Sequence, residues 1–199
     1  DSKAFRFGEF AYGANCFVVE WKDQSSNNNH ATQDASADQP KIYDSATGVL
    51  DGVTFVYGKS LPTSLTSIST TSTSFIVGQK GSAGGGFILG NYGSDRWYAC
   101  GENAVSSATT AGVTVSAYYG NGTEITTPVR SELFAAFTAN PSLLSTIYST
   151  AAGLSAQIGH TQYSGYGGQQ IREFVIYHSD QSGNRTDIET NINTFYNIF

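Results

Sequence analysis

Residues 169–199 read QQIREFVIYHSDQSGNRTDIETNINTFYNIF, and two hydrophobic periods sit back to back in them. Along 171–177 the alternation is that of a strand, with Ile171, Glu173, Val175 and Tyr177 on one face and Arg172, Phe174 and Ile176 on the other. β-branched and aromatic residues dominate, as a pleated and half-buried surface favours. Residues 178–185 are a polar break whose Asp, Ser, Gly and Asn supply turn chemistry. After it the period becomes helical. Ile188, Ile192, Phe195 and Phe199 fall at steps of four, three and four and predict one apolar stripe. Thr186 with Glu189 is a capping-box spacing, so the helix is expected to begin at Thr186.

Upstream of this stretch the chain reads as strands and turns. Residues 16–21 (CFVVEW), 53–57 (VTFVY), 74–79 (SFIVGQ), 113–119 (VTVSAYY) and 143–148 (LLSTIY) carry the strand signature. Shorter extended runs are predicted before Asn15, at 40–43, 86–92, 96–100 and 156–159. Residues 132–138 (ELFAAFT) alternate well and read as a further strand. Asn121-Gly122 is the strongest hairpin signal. The Ser/Thr-rich residues 61–73 keep Leu61, Leu65 and Ile68, which places them inside the fold rather than in a linker. About ten to twelve short strands with regular turn punctuation point to a sandwich or a barrel.

A length of 199 residues suits one domain spanning 1–199. Only 13% of residues are charged and 22 are glycines, which fits sheet faces hydrated by hydroxyls and amides between many turns. The formal charge of −6 and the lack of any Lys/Arg run argue against nucleic acid as a partner, because phosphate binding needs clustered cations. No apolar run reaches the length of a membrane span, so membrane insertion is not expected. The sequence has no Met and no leader pattern at Asp1, and is expected to be a processed product or a piece of a longer chain. Cys16 and Cys100 are the only cysteines; one disulfide and two buried thiols are both open.

The loop after residues 16–21 is the most distinctive local signal. It runs Trp21-Lys22-Asp23-Gln24-Ser25-Ser26-Asn27-Asn28-Asn29-His30-Ala31-Thr32-Gln33, then Gln39-Pro40. This resembles the W-x-D-Q-S-G-N-x-N-H-A-T-Q…Q-P pattern of laminin-G-like and concanavalin A-like domains, and a stretch of fungal α-arabinofuranosidases of that fold. Ser26 replaces the usual Gly. The closing strand, polar turn and helix are similar to the end of many such domains in phage, bacterial and environmental sequences. The two motifs bracket nearly the whole chain. The N-terminal part is short against the pattern, which leaves an upstream strand lost or supplied by a neighbour.

The resemblance implies an all-β, two-sheet antiparallel jelly-roll sandwich of concanavalin A type, with a short C-terminal helix covering one end. It implies a non-catalytic glycan-binding or adhesion domain on an extracellular or virion surface. The alternatives are a structural virion module that packs against other subunits, and a glycoside hydrolase of the same fold. Glycosidases flank the scissile bond with two carboxylates about 5–9.5 Å apart. The superfamily's glucanases carry them on one strand, and no strand here does: Glu20 and Glu173 stand alone, and Asp187 and Glu189 suit a helix start. No catalytic residue is therefore assigned.

Sugar rings stack on aromatic faces, with amides and acids reading the hydroxyls. The ligand-binding candidates are Trp97 and Tyr98 beside Asp95, Tyr118 near Asn121, and Tyr163 with Tyr166 in the late loop. Packing across strands accounts equally well for such rings. No cofactor is required. Asp23 and Asn27 are the candidates for Ca²⁺, which takes 6–8 oxygens; the simpler reading is that Asp23, Ser25, Asn27 and His30 hold a structured loop.

Overall fold

In a computed structural model of the chain, the described residues are 5–7, 14–56, 58–65, 71–79, 89–90, 96–97, 110–111, 113–137, 141–151, 157–159 and 169–199. The first strands are β1 (Phe5–Phe7), β2 (Cys16–Trp21), β3 (Ala31–Thr32), β4 (Lys41–Asp44), β5 (Gly48–Phe55), β6 (Leu61–Pro62) and β7 (Ser72–Gln79). Next come β8 (Leu89–Gly90), β9 (Arg96–Trp97), β10 (Thr110–Ala111), β11 (Val113–Gly120), β12 (Thr123–Glu124) and helix α1 (Arg130–Ala136). Strands β13 (Ser142–Ala151), β14 (Gln157–Ile158) and β15 (Gln169–Tyr177) and helix α2 (Arg185–Tyr196) complete the order.

The described residues are all-β apart from two short α-helices and one 3-10 turn (Ser36–Asp38), and their named strands pair antiparallel. The large sheet runs β1-β2-β4-β5-β15-β7-β13-β11-β12, with β3 beside β2; the small one runs β10-β9-β8-β14-β6. A bridge between Ala31 and Thr63 links the margins of the two. The last strand thus fills the middle of the large sheet, between β5 and β7.

Strand parity sorts the side chains into two layers. The main core takes Val53 and Phe55 from β5, Ile76 from β7, Leu144 and Tyr148 from β13, and Ile171 from β15. Leu61 and Ile158 join it from the small sheet, and Leu133 and Phe137 from α1. On the opposite face of the large sheet Phe75, Val77 and Leu143 are covered by Ile192 of α2, with Val175, Ile188, Tyr196 and Ile198 around them. The closing strand obeys this division only because of a bulge. Its register on β7 shifts between Ile171 and Glu173, so Arg172 is the extra residue. Ile171, Phe174 and Ile176 therefore share the main core, and Val175 faces the helix. A strict period of two, as the sequence suggests, places Ile171 with Val175.

Four further expectations change. Residues 130–136 form a helix, not a strand, directly after Pro128. Leu133, Phe134 and Phe137 are buried, a helical spacing that the alternation of the same residues concealed. Helix α2 lies on the face of β7, β13 and β15 rather than over one end, and its buried stripe is Ile188, Ile192 and Tyr196. Phe195 and Phe199 are 81% and 54% exposed. The capping box does not form: Asn184 is the N-cap, without a side-chain cap bond. Glu189 instead turns inward at 3% exposure, accepts from Ser145 Oγ at 2.7 Å and pairs with Arg185, whose guanidinium lies 3.8 Å from the Tyr119 ring centre.

The Asn121-Gly122 hairpin stands as expected. Both residues have positive φ, 47° and 79°, the mark of a type I′ turn, and Tyr119 pairs with Glu124 across it. Cys16 is a buried free thiol, and burial raises its pKa; Cys100 lies outside the described residues. Among the described residues no helix is long and apolar enough to cross a membrane.

Candidate functional site

Asp23 organises the loop between β2 and β3. Its Oδ1 accepts the Ser25 amide at 2.8 Å and its Oδ2 the Asn29 amide at 2.8 Å. The Asp23 amide donates to His30 Nδ1 at 3.0 Å, and the Asn27 amide to Ser25 Oγ at 3.2 Å. These are the Asx- and ST-turn bonds by which short polar side chains fix a loop without a ladder. Asp23, Ser25, Asn27 and His30 thus hold the loop, as the simpler reading has it. Among the described residues no three His, Cys, Asp or Glu side chains gather into a metal-holding group.

Desolvation pushes the Asp23 carboxyl up, but hydrogen bonds from Ser25 and Asn29 outweigh it, and its pKa lies below the usual value. A pKa lower in the folded than in the unfolded state stabilises the fold above the unfolded value of about 3.9, and that contribution is lost as pH falls through the folded value. Asp23→Ala is expected to cost about 1 kcal/mol at neutral pH. The difference from the parent should shrink toward zero in acid. Urea midpoints of both proteins at the two pH values check this; an equal gap in acid would show that the carboxylate charge is irrelevant.

This loop forms one wall of a cleft of about 880 Å³. Trp21, Lys22, Asp23, Gln24, Ser25, Asn27 and Asn29 line that wall, and Leu65 and Ile158 contribute apolar lining. The opposite wall is residues 172–178 in unbroken succession, flanked by Asn191, Ile192, Phe195 and Tyr196 of α2. Successive strand residues point to opposite faces, so seven in a row along one cleft mean that β15 presents its edge. The pairing agrees. β5 accompanies β15 only through Gln169, Gln170 and Ile171. Beyond the Arg172 bulge, among the described residues, the strand pairs with β7 alone.

Rings and charges are interleaved here. Tyr177 is 37% exposed and meets Phe75 edge-on at 6.1 Å, and Phe195 meets Tyr196 edge-on at 4.9 Å. Burial raises the Tyr196 phenol, and the charge of Glu173 raises it further against the opposing effect of Arg172. The hydroxyl therefore stays protonated well beyond the ordinary tyrosine range.

The residues singled out in the sequence lie elsewhere or serve the fold. Tyr118 is 2% exposed in the main core, which corrects its assignment as a ligand contact: its position on β11 points it inward with Tyr148. Asn121 clasps Leu143, accepting its amide on Oδ1 at 2.8 Å and donating its own amide to the Leu143 carbonyl at 2.8 Å. Trp97 sits in β9 of the small sheet. Asp95, Tyr98, Tyr163 and Tyr166 lie outside the described residues. Of the described candidates, only Asp23 and Asn27 line the cleft. Its aromatic residues Trp21, Phe174, Tyr177, Phe195 and Tyr196 were legible only as strand or helix positions, and Phe195 as part of the core stripe. Compared with protein-family models, with curated proteins and with solved structures, the chain matches none.

Proposed function

We propose that the chain is a non-catalytic glycan-binding domain whose binding surface is the cleft between the β2–β3 loop and the edge of β15. The observation that carries this reading is the joint presence of partly exposed rings and a loop of Asp, Asn, Gln and Ser around one open groove. A sugar offers C–H faces to rings and hydroxyls that both donate and accept, and the groove supplies both kinds of partner. Hydrolysis is the weaker reading, because the Asp23 carboxylate of the cleft already accepts two backbone amides. The two sheets around a shared core support a concanavalin A-type jelly roll as part of the same proposal, and an extracellular or virion surface is proposed with it.

One observation favours a second reading. An open strand edge is a template for strand addition, so the same groove suits a structural module that receives an extended segment from a neighbouring subunit.

A glycan array, with and without Ca²⁺, tests the first reading. Phe195→Ala removes an exposed ring at little cost to the fold and is expected to weaken any bound glycan about tenfold, on the order of 1.4 kcal/mol. Silence across the array, together with firm binding of an extended peptide that Phe195→Ala weakens, would replace the lectin by the strand-accepting module.

A further inference from the structure

We infer that the cleft takes a neutral polysaccharide rather than an acidic one; the inference rests on the glycan reading above. Among the described residues, the charged side chains lining it are Lys22, Asp23, Arg172 and Glu173, with His178 beside them. With His178 counted as neutral, two cations face two carboxylates, so the described lining has no surplus charge to offer a polyanion. Of the carboxylates, Asp23 is fixed in place by the Ser25 and Asn29 amides. A uronate or sulfate entering beside them would bring a third negative group into a partly desolvated site, which is costly without a cation of its own. The chain as a whole carries −6, and that field repels an approaching polyanion before contact.

A neutral hydroxylated chain meets none of these penalties. Each hydroxyl donates and accepts, and a strand edge alternates N–H and C=O groups along its length. Residues 173–177 supply such an edge next to the rings of Tyr177 and Phe195. At about 3.4 Å per residue the five residues span roughly 17 Å, enough for several consecutive sugar units.

Affinity electrophoresis of the full chain in gels containing a neutral β-glucan or mannan, or alternatively polygalacturonate, alginate or heparin, tests this. The salt is raised from about 0.01 M to about 1 M, which shortens the screening length from about 30 Å to about 3 Å. Retention by a neutral polymer that changes less than twofold across this range is the expected result. Retention only by acidic polymers, falling tenfold or more with salt, would overturn the inference and leave the glycan reading standing. Retention by no polymer of either class would overturn both.

Discussion

Removing residues 185–199 is expected to cost on the order of 5 kcal/mol or more, enough to unfold a domain near the low end of the ordinary stability range of about 5–15 kcal/mol. The face under α2 carries Phe75, Val77 and Leu143 at 1%, 1% and 0% exposure, with Val175 beside them. Full burial of such a side chain contributes about 1.5–3 kcal/mol, and truncation uncovers all four together while discarding Ile188, Ile192 and Tyr196. Apolar cover, not the polar anchor, decides the outcome. The Arg185–Glu189 pair and the Ser145 bond fix how the helix lies, but an ion pair at 18% and 3% side-chain exposure largely repays its own desolvation. Ile192→Ala should therefore cost about 2–5 kcal/mol, and Glu189→Leu should cost less than Ile192→Ala. Denaturant midpoints rank the three variants. A truncated chain that unfolds at the parent midpoint would make α2 an appendage.

The sequence was a good guide wherever short-range chemistry decides structure. Asn121-Gly122 forms its turn because both positions need positive φ, which Asn and Gly tolerate. The strand at residues 171–177 and the following helix are visible because one period is two and the other near 3.6. What escaped depends on partners distant in the chain. The Arg172 bulge arises where β15 parts from β5 and continues on β7, and no local pattern announces it. Residues 132–138 carry apolar groups that fit both periods, and the contacts of Leu133 and Phe137 with the main core select the helix. Glu189 looked like a cap and became the buried partner of Ser145, a residue 44 positions away.

The cleft was the least legible feature for the same reason. Its walls come from residues 21–29 and 172–178, from opposite ends of the sequence, and they adjoin only because the last strand enters the centre of the large sheet. Asp23 was found through its turn chemistry. Phe195 was misplaced because a helical stripe read with mixed steps of three and four can be drawn through Phe195 or through Tyr196. Burial chose Tyr196.

Gly78→Ala is the point substitution expected to do most damage to that central arrangement. Gly78 lies in β7 with Ser142 on one side and Ile171 on the other. A Cβ built there would stand 2.1 Å from the Gln170 carbonyl oxygen and 3.2 Å from Ile171 Cα. Both are backbone, so no rotamer change relieves the contact; β15 must move away from β7 where the bulge already weakens their register. Moving it disturbs Ile171, which is fully buried, and the pairs Phe174–Ile76 and Val175–Phe75 that follow. The expected cost is about 3 kcal/mol or more, at the upper end for overpacking. Gly183→Ala is the matched control: the residue is in an exposed turn with nothing within 4 Å of an added Cβ, and its expected cost is within about 0.5 kcal/mol. Denaturant midpoints of the two variants, measured side by side, decide the matter. If they coincide, β15 does not approach β7 as closely as their register requires, and the placement of the last strand between β5 and β7 falls with it.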